Sequence, residues 1–184
     1  MNFPNVLTIA RFFLSFLMVF LLFWRDGMYA GAALAVFLAA SLTDYLDGRI
    51  ARQRNEVTSF GRLMDPIADK TLTLGAFGSF WALGILPGLW VLVVAAREIF
   101  VTWVRLFSSR TNQDQAVRSS GKQKTVFQMI YISLVLAYLY VRRAPFWDSD
   151  WDSLAMRLVR LGMIFIVTLT LWSGLRLLIT RRKV

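Results

Sequence analysis

The chain contains neither cysteine nor histidine in its 184 residues. The first absence excludes disulfides and thiolate chemistry, and the second removes the most common general base and the most common zinc ligand. Acid–base or metal work is left to Asp, Glu, Lys, Arg and Tyr. Polar surface is scarce as well: 17% of the residues are charged, 57% are hydrophobic, and the mean hydropathy is positive. A water-soluble domain of this length needs more polar surface to cover its core. The composition predicts an all-α, polytopic membrane protein in which residues 1–184 form a single unit, with no room for a second domain.

Six apolar stretches are present, at Val6–Trp24, Tyr29–Leu46, Leu63–Leu83, Leu89–Phe107, Val126–Val141 and Leu154–Ile179, each near the roughly 20 residues that cross a hydrocarbon core. The fifth is short and is expected to begin nearer Lys122; the sixth is long enough to tilt. The first lacks a basic start and a small-residue cleavage site, so it reads as a retained helix rather than a signal peptide. An even number of spans places both termini on one side. That side carries Arg49, Arg52, Arg54 and Arg62, then Arg110, Arg118, Lys122 and Lys124, then Arg181, Arg182 and Lys183; the other carries Arg25, Arg142 and Arg143. The bias predicts cytoplasmic termini. The net charge of +10 fits loops lying on anionic lipid headgroups, anionic substrates, or both. No nucleic-acid partner is expected. Trp24, Trp147 and Trp151 fall near span ends, as interfacial belts require.

The scarce acidic residues are the more informative ones. Asp26, Glu56, Asp114, Asp148, Asp150 and Asp152 lie in polar stretches, and the last three read as a solvated turn. Asp44, Asp47, Asp65, Asp69 and Glu98 lie inside or at the edge of apolar runs. Asp44 and Asp47 are three apart at the end of the second span; Asp65 and Asp69 are four apart at the start of the third. Each pair shares a helix face. The short basic loop between them makes the two helices antiparallel neighbours, so all four carboxylates can converge at the cytoplasmic membrane edge. Four carboxylates in a small volume repel and need cations. Pairing with Arg49, Arg52 and Arg62 is one solution, but it leaves the helical spacing of the acids unexplained where charge is costly. Hard divalent ions on oxygen ligands are the more direct one, with Mg2+ (or Mn2+) favoured where a phosphorylated substrate completes the shell. Gly48, Ala51 and Gly61 are small residues that let a bulky ligand approach the backbone, or let membrane helices pack closely.

These residues form the pattern D-x2-D-G-x2-A-R-x8-G-x3-D-x3-D, met at Asp44, Asp47, Gly48, Ala51, Arg52, Gly61, Asp65 and Asp69. The pattern resembles the signature of the CDP-alcohol phosphotransferases. The resemblance implies six transmembrane helices in that family's fold, a homodimer, and CMP as leaving group. It implies two metal ions bound through Asp44, Asp47 and Asp65 and sharing Asp69, which also serves as the base. A CDP-linked lipid would then lie against Asp47, Gly48, Ala51, Arg52 and Gly61. The opening NFPNVLTIAR resembles the N-terminal stretch of the phosphatidyl-transferring members, which makes Asn5 and Thr8 candidates to meet the cytidine nucleotide; Thr8 also reads as an ordinary helix residue. Arg11, a charge within the first span, should face the bundle interior.

Two later segments, AAREIFVTWVR and GKQKTVFQM, resemble the phosphatidylglycerophosphate synthases, as does the run LTLWSGL. That likeness implies CDP-diacylglycerol as donor, glycerol 3-phosphate as acceptor, and a bacterial inner membrane with a cytoplasmic active site. The acceptor's own phosphate needs further cations, and Arg105, Arg118, Lys122 and Lys124 are the candidates. Arg97 and Glu98 read as groups that hold helices together. Alternatives within the fold are a cardiolipin synthase or a phosphatidylinositol-phosphate synthase. A carboxylate-lined cation transporter is disfavoured, because the acids sit at the membrane edge and no inverted repeat is apparent.

Overall fold

The computed structural model describes residues 3–24, 28–54, 59–107 and 114–182; the side chains of residues 3–5, 44–63, 65–66, 104–123 and 176–182 are outside that description. The described residues form six helices and no strand: α1 (Phe3–Phe23), α2 (Ala30–Arg54), α3 (Ser59–Ala82), α4 (Gly88–Phe107), α5 (Asp114–Val141) and α6 (Ser149–Arg182). Each helix covers one of the six apolar stretches, and the all-α expectation holds. Among the described residues, Val6–Phe23, Lys124–Val141 and Ser149–Leu175 are long and apolar enough to cross a membrane by themselves, and Ala30–Thr43 is a shorter apolar helix. The chain is an integral membrane protein. Helices α3 and α4 carry charge along part of their length: Asp65, Asp69 and Lys70 on the first, and Arg97, Glu98 and Arg105 on the second.

Several helices outrun their apolar stretches. Helix α2 continues eight residues past Leu46, α5 begins at Asp114 rather than near Lys122, and α6 begins at Ser149 rather than Leu154. Hydrophobicity marks the part of a helix inside hydrocarbon, whereas backbone hydrogen bonding continues into the polar region wherever good helix formers follow. Helix α6, at 34 residues, is about 50 Å long.

Helix α1 packs most extensively, against both α2 and α3; α5 touches α2, α3 and α6, and α4 rests on α3 and α6. Among the described residues α2 and α3 share no broad face of their own and meet through α1 and α5. The core lies where these surfaces join, with Met18, Leu22, Phe37, Leu72, Phe77, Phe80, Ile132, Leu136, Met163 and Ile166 all buried. Phe77 packs edge-on against Phe80 and stacks on Tyr131. Helix contact is close at two glycines in the bundle. A Cβ on Gly31 would lie 2.7 Å from the Tyr140 ring, and one on Gly162 would lie 2.7 Å from the Tyr131 ring, so small residues set the α2–α5 and α5–α6 spacing.

The α3–α4 corner shows why the chain turns there. Gly84 adopts φ 72°, the Ile85 N–H donates to the Phe80 carbonyl at 2.9 Å, and the Gly84 N–H donates to the Trp81 carbonyl at 2.9 Å. This is the Schellman closure of a helix C-terminus, with Pro87 soon after to prevent continuation. Pro66 lies inside α3, where its missing N–H leaves the Arg62 carbonyl without a helical donor, an arrangement membrane helices tolerate.

Candidate active site

Helix α1 has a polar inner stripe at its start and an apolar one at its end. Thr8, Arg11, Ser15, Met18 and Leu22 are all buried, while Phe12, Phe13, Phe16 and Phe20 are exposed. The alternating spacing of three and four residues places the five on one face. Arg11 is 1% exposed, so the expectation that it faces the bundle interior is met. Thr8 is buried on the same face, beside the helices that bear the aspartates.

The backbone places Asp44 and Asp47 on the last turns of α2, and Asp65 and Asp69 on the first half of α3. Both pairs therefore keep the helical spacing read from the sequence. The side chains of Asp44, Asp47 and Asp65 lie outside the described residues, as do those of Asn5, Arg52, Arg105, Arg118 and Lys122 and the surroundings of Gly48, Ala51 and Gly61. Among the described residues no group of three or more Asp, Glu, His or Cys comes together. The donor set available in this part of the chain consists of carboxylates without any thiol or imidazole, which suits a hard, oxygen-seeking divalent ion.

Asp69 is described in full. Its carboxylate Oδ2 lies 3.2 Å from the Lys70 ammonium, and its backbone carbonyl accepts a hydrogen bond from the Thr73 hydroxyl at 2.6 Å. Lys70 reaches on to Glu98 Oε2 of α4 at 2.8 Å. Glu98 Oε1 receives the ammonium of Lys124 from α5 and Nη1 of Arg97 at 3.4 Å. Arg97 in turn donates through Nη2 to the Ser173 hydroxyl of α6 at 2.6 Å. One carboxylate thus gathers three cations and, through Arg97, ties α3, α4, α5 and α6 together. Glu98 and Lys124 are 3% and 4% exposed. A buried carboxylate persists only when paired in this way. The helix-holding role read for Arg97 and Glu98 is what their contacts show.

Lys70 went unremarked in the sequence, although its signal was present: a lysine inside an apolar run raises the same question as the acids around it. Ser173 and Gln128 gave no such signal. Gln128 is 1% exposed, one turn beyond Lys124 on α5, and its amide nitrogen has no hydrogen-bond partner among the described residues. The turn read at Asp148, Asp150 and Asp152 needs correction. It forms the start of α6, where the Asp148 carboxylate accepts from the Ser149 N–H and Asp150 and Asp152 favour the helix dipole. Asp148 and Asp150 are exposed, but Asp152 accepts hydrogen bonds from the Tyr138 hydroxyl at 2.8 Å and the Trp147 indole N–H at 3.2 Å.

A six-helix membrane bundle with paired aspartates on consecutive helices defines a class, and the whole sequence agrees with it. Residues 1–172 match the model of the CDP-alcohol phosphatidyltransferase family, and the chain belongs to that family. Among its relatives, the CDP-diacylglycerol–glycerol-3-phosphate 3-phosphatidyltransferase of Rickettsia typhi is 34% identical over 135 residues, 73% of this chain and 76% of that protein. The enzyme of the same name from Bacillus subtilis is 36% identical over 151 residues, 74% of this chain and 77% of its own length. A CMP-forming cardiolipin synthase of Oryza sativa is 36% identical over 148 residues, 73% of this chain but 45% of that protein.

Proposed function

We propose that the chain transfers the phosphatidyl group of CDP-diacylglycerol to glycerol 3-phosphate, giving phosphatidylglycerophosphate and CMP. The observation that carries this reading is the eight-position aspartate signature, set on consecutive membrane helices in a chain similar along most of its length to glycerol-3-phosphate enzymes. Asp44, Asp47 and Asp65, with Asp69 shared, would hold two Mg2+ or Mn2+ ions, which when bound supply Lewis acidity to the phosphoryl oxygens and offset the charge of departing CMP. Arg52, Asn5 and Thr8 take the nucleotide end of the donor, and the small residues Gly48, Ala51 and Gly61 let it approach the backbone.

Asp69 accepts the proton of the acceptor hydroxyl. That oxygen forms a bond to the lipid-side phosphorus, and the bond from this phosphorus to the oxygen of CMP breaks. Arg105, Arg118 and Lys122 take the acceptor's phosphate, assisted by the ammonium donors of Lys124 that Glu98 leaves over. The protein spans a bacterial inner membrane six times as a homodimer, with termini and active site in the cytoplasm, so that the lipid tails stay in the bilayer while the water-soluble acceptor arrives from inside.

Purified protein given CDP-diacylglycerol with glycerol 3-phosphate, phosphatidylglycerol or inositol phosphate should release CMP only with the first, and chelation of divalent ions should stop release until they are returned. The rice relative keeps cardiolipin synthesis as the second reading, and CMP release with phosphatidylglycerol alone would establish it. Asp69→Asn should lower turnover by about 10²–10⁴-fold, the usual contribution of a positioned base, with nucleotide binding largely kept.

A further inference from the structure

We infer that Lys70 is a positioning residue for the Asp69 carboxylate, held in place by Glu98; this rests on the reading of Asp69 as proton acceptor given above. Neighbouring residues on a helix diverge by about 100° and do not face each other. Lys70 nonetheless brings its ammonium to 3.2 Å from Asp69 Oδ2. Helix spacing does not produce that contact. The second contact accounts for it, because Glu98 of α4 holds the same ammonium at 2.8 Å and so draws the lysine between the two carboxylates.

The network is firm on one side and open on the other. Glu98 is fixed by Lys124 and Arg97, and Arg97 by Ser173, so helices α5 and α6 stand behind the α4 carboxylate. Glu98 and Lys124 are almost wholly enclosed, whereas the Lys70 and Asp69 side chains are 21% and 23% exposed. A lysine on a flexible four-carbon stem directs a carboxylate poorly unless its ammonium is clamped. Clamped here, it engages Oδ2 and fixes the rotamer in which the carboxylate meets the acceptor hydroxyl. Positioning matters at this scale, since a displacement of about 1 Å can lower turnover by about 10²-fold.

The test compares variants of the full-length protein in detergent, with both substrates varied. Lys70→Met should lower kcat by about 10–100-fold while the KM for each substrate stays within about twofold, and Lys70→Arg should recover a third or more of the lost rate. Glu98→Asp keeps every charge but withdraws the carboxylate by one methylene, and should lower kcat by about three- to tenfold at unchanged KM. Unchanged kcat in Lys70→Met overturns the proposal, as does a raised KM for glycerol 3-phosphate at unchanged kcat, which would make Lys70 a substrate ligand. A loss that Lys70→Arg does not restore also overturns it. If Lys70→Met fails to accumulate, Glu98→Asp decides alone, with unchanged kcat as the negative result. Full turnover in Asp69→Asn would instead remove the reading of Asp69, whereas an inactive Asp69→Asn beside an unaffected Lys70→Met would remove only the positioning role.

Discussion

Both ends of the apolar Lys124–Val141 stretch of α5 meet a carboxylate. At Lys124 the acceptor is Glu98, 3% exposed, with three cations around it and side chains from four helices in the network. About 20 Å along the helix, Tyr138 donates to Asp152, a third exposed, whose other partners are the Trp147 indole and the half-exposed guanidinium of Arg142 at 3.5 Å. Arg142 also sits over the Tyr138 ring, 5.4 Å from its centre. The first cluster is charge held away from water, where each ion depends on the others. The second is a clasp at the rim, of two neutral donors and one exposed cation, where water can replace any missing partner. A carboxylate therefore has different consequences at the two ends, and the difference follows from enclosure rather than from the number of contacts.

That contrast can be broken in graded steps. Glu98→Ala removes the carboxylate that Lys70, Arg97 and Lys124 share and leaves Lys124 and Arg97 facing each other without it. Removing one member of a buried ion pair costs about 3–5 kcal/mol, so thermal unfolding in detergent should show a large drop in midpoint or no folded protein. Ser173→Ala removes only the hydroxyl that receives Arg97 and leaves the guanidinium on Glu98. A loss of about 1–2 kcal/mol is expected, near the upper end for interhelical hydrogen bonds in membranes, measured by the same unfolding. Tyr138→Phe deletes one rim hydrogen bond while keeping the ring that packs on Trp147 and Arg142. It should cost about 0.6 kcal/mol, the average for such bonds. A Tyr138→Phe loss as large as that of Glu98→Ala would erase the distinction between the two ends.

Much of this architecture was legible in the residues. Six apolar runs gave six helices, and acids at three- and four-residue spacing fell on helical backbone as their periodicity required. Helix ends were read less well. Apolarity reports the hydrocarbon slab, and the polar extensions of α2 and α5 carry no hydropathy signal. The distant members of the Glu98 network were not legible, because Lys70 and Lys124 lie 28 and 26 positions from Glu98, Ser173 lies 76 from Arg97, and only packing unites them. Asp152 was misread for a related reason: local composition around it describes a wet turn, while Tyr138, which binds it, belongs to the preceding helix.

The inverted make-up of α1 bears on how the protein is made. A ribosome delivers this helix before α2 and α3, with phenylalanines suited to lipid on the outer face and Thr8, Arg11 and Ser15 on a face enclosed in the finished bundle. The helices that cover this face, α2 and α3, have not yet emerged at that moment. Until the nascent chain reaches Ala82, α1 carries an enclosed-type arginine with no enclosure, so insertion and assembly have to proceed as one coupled event, and a chain halted earlier presents quality-control proteases with an exposed intramembrane charge.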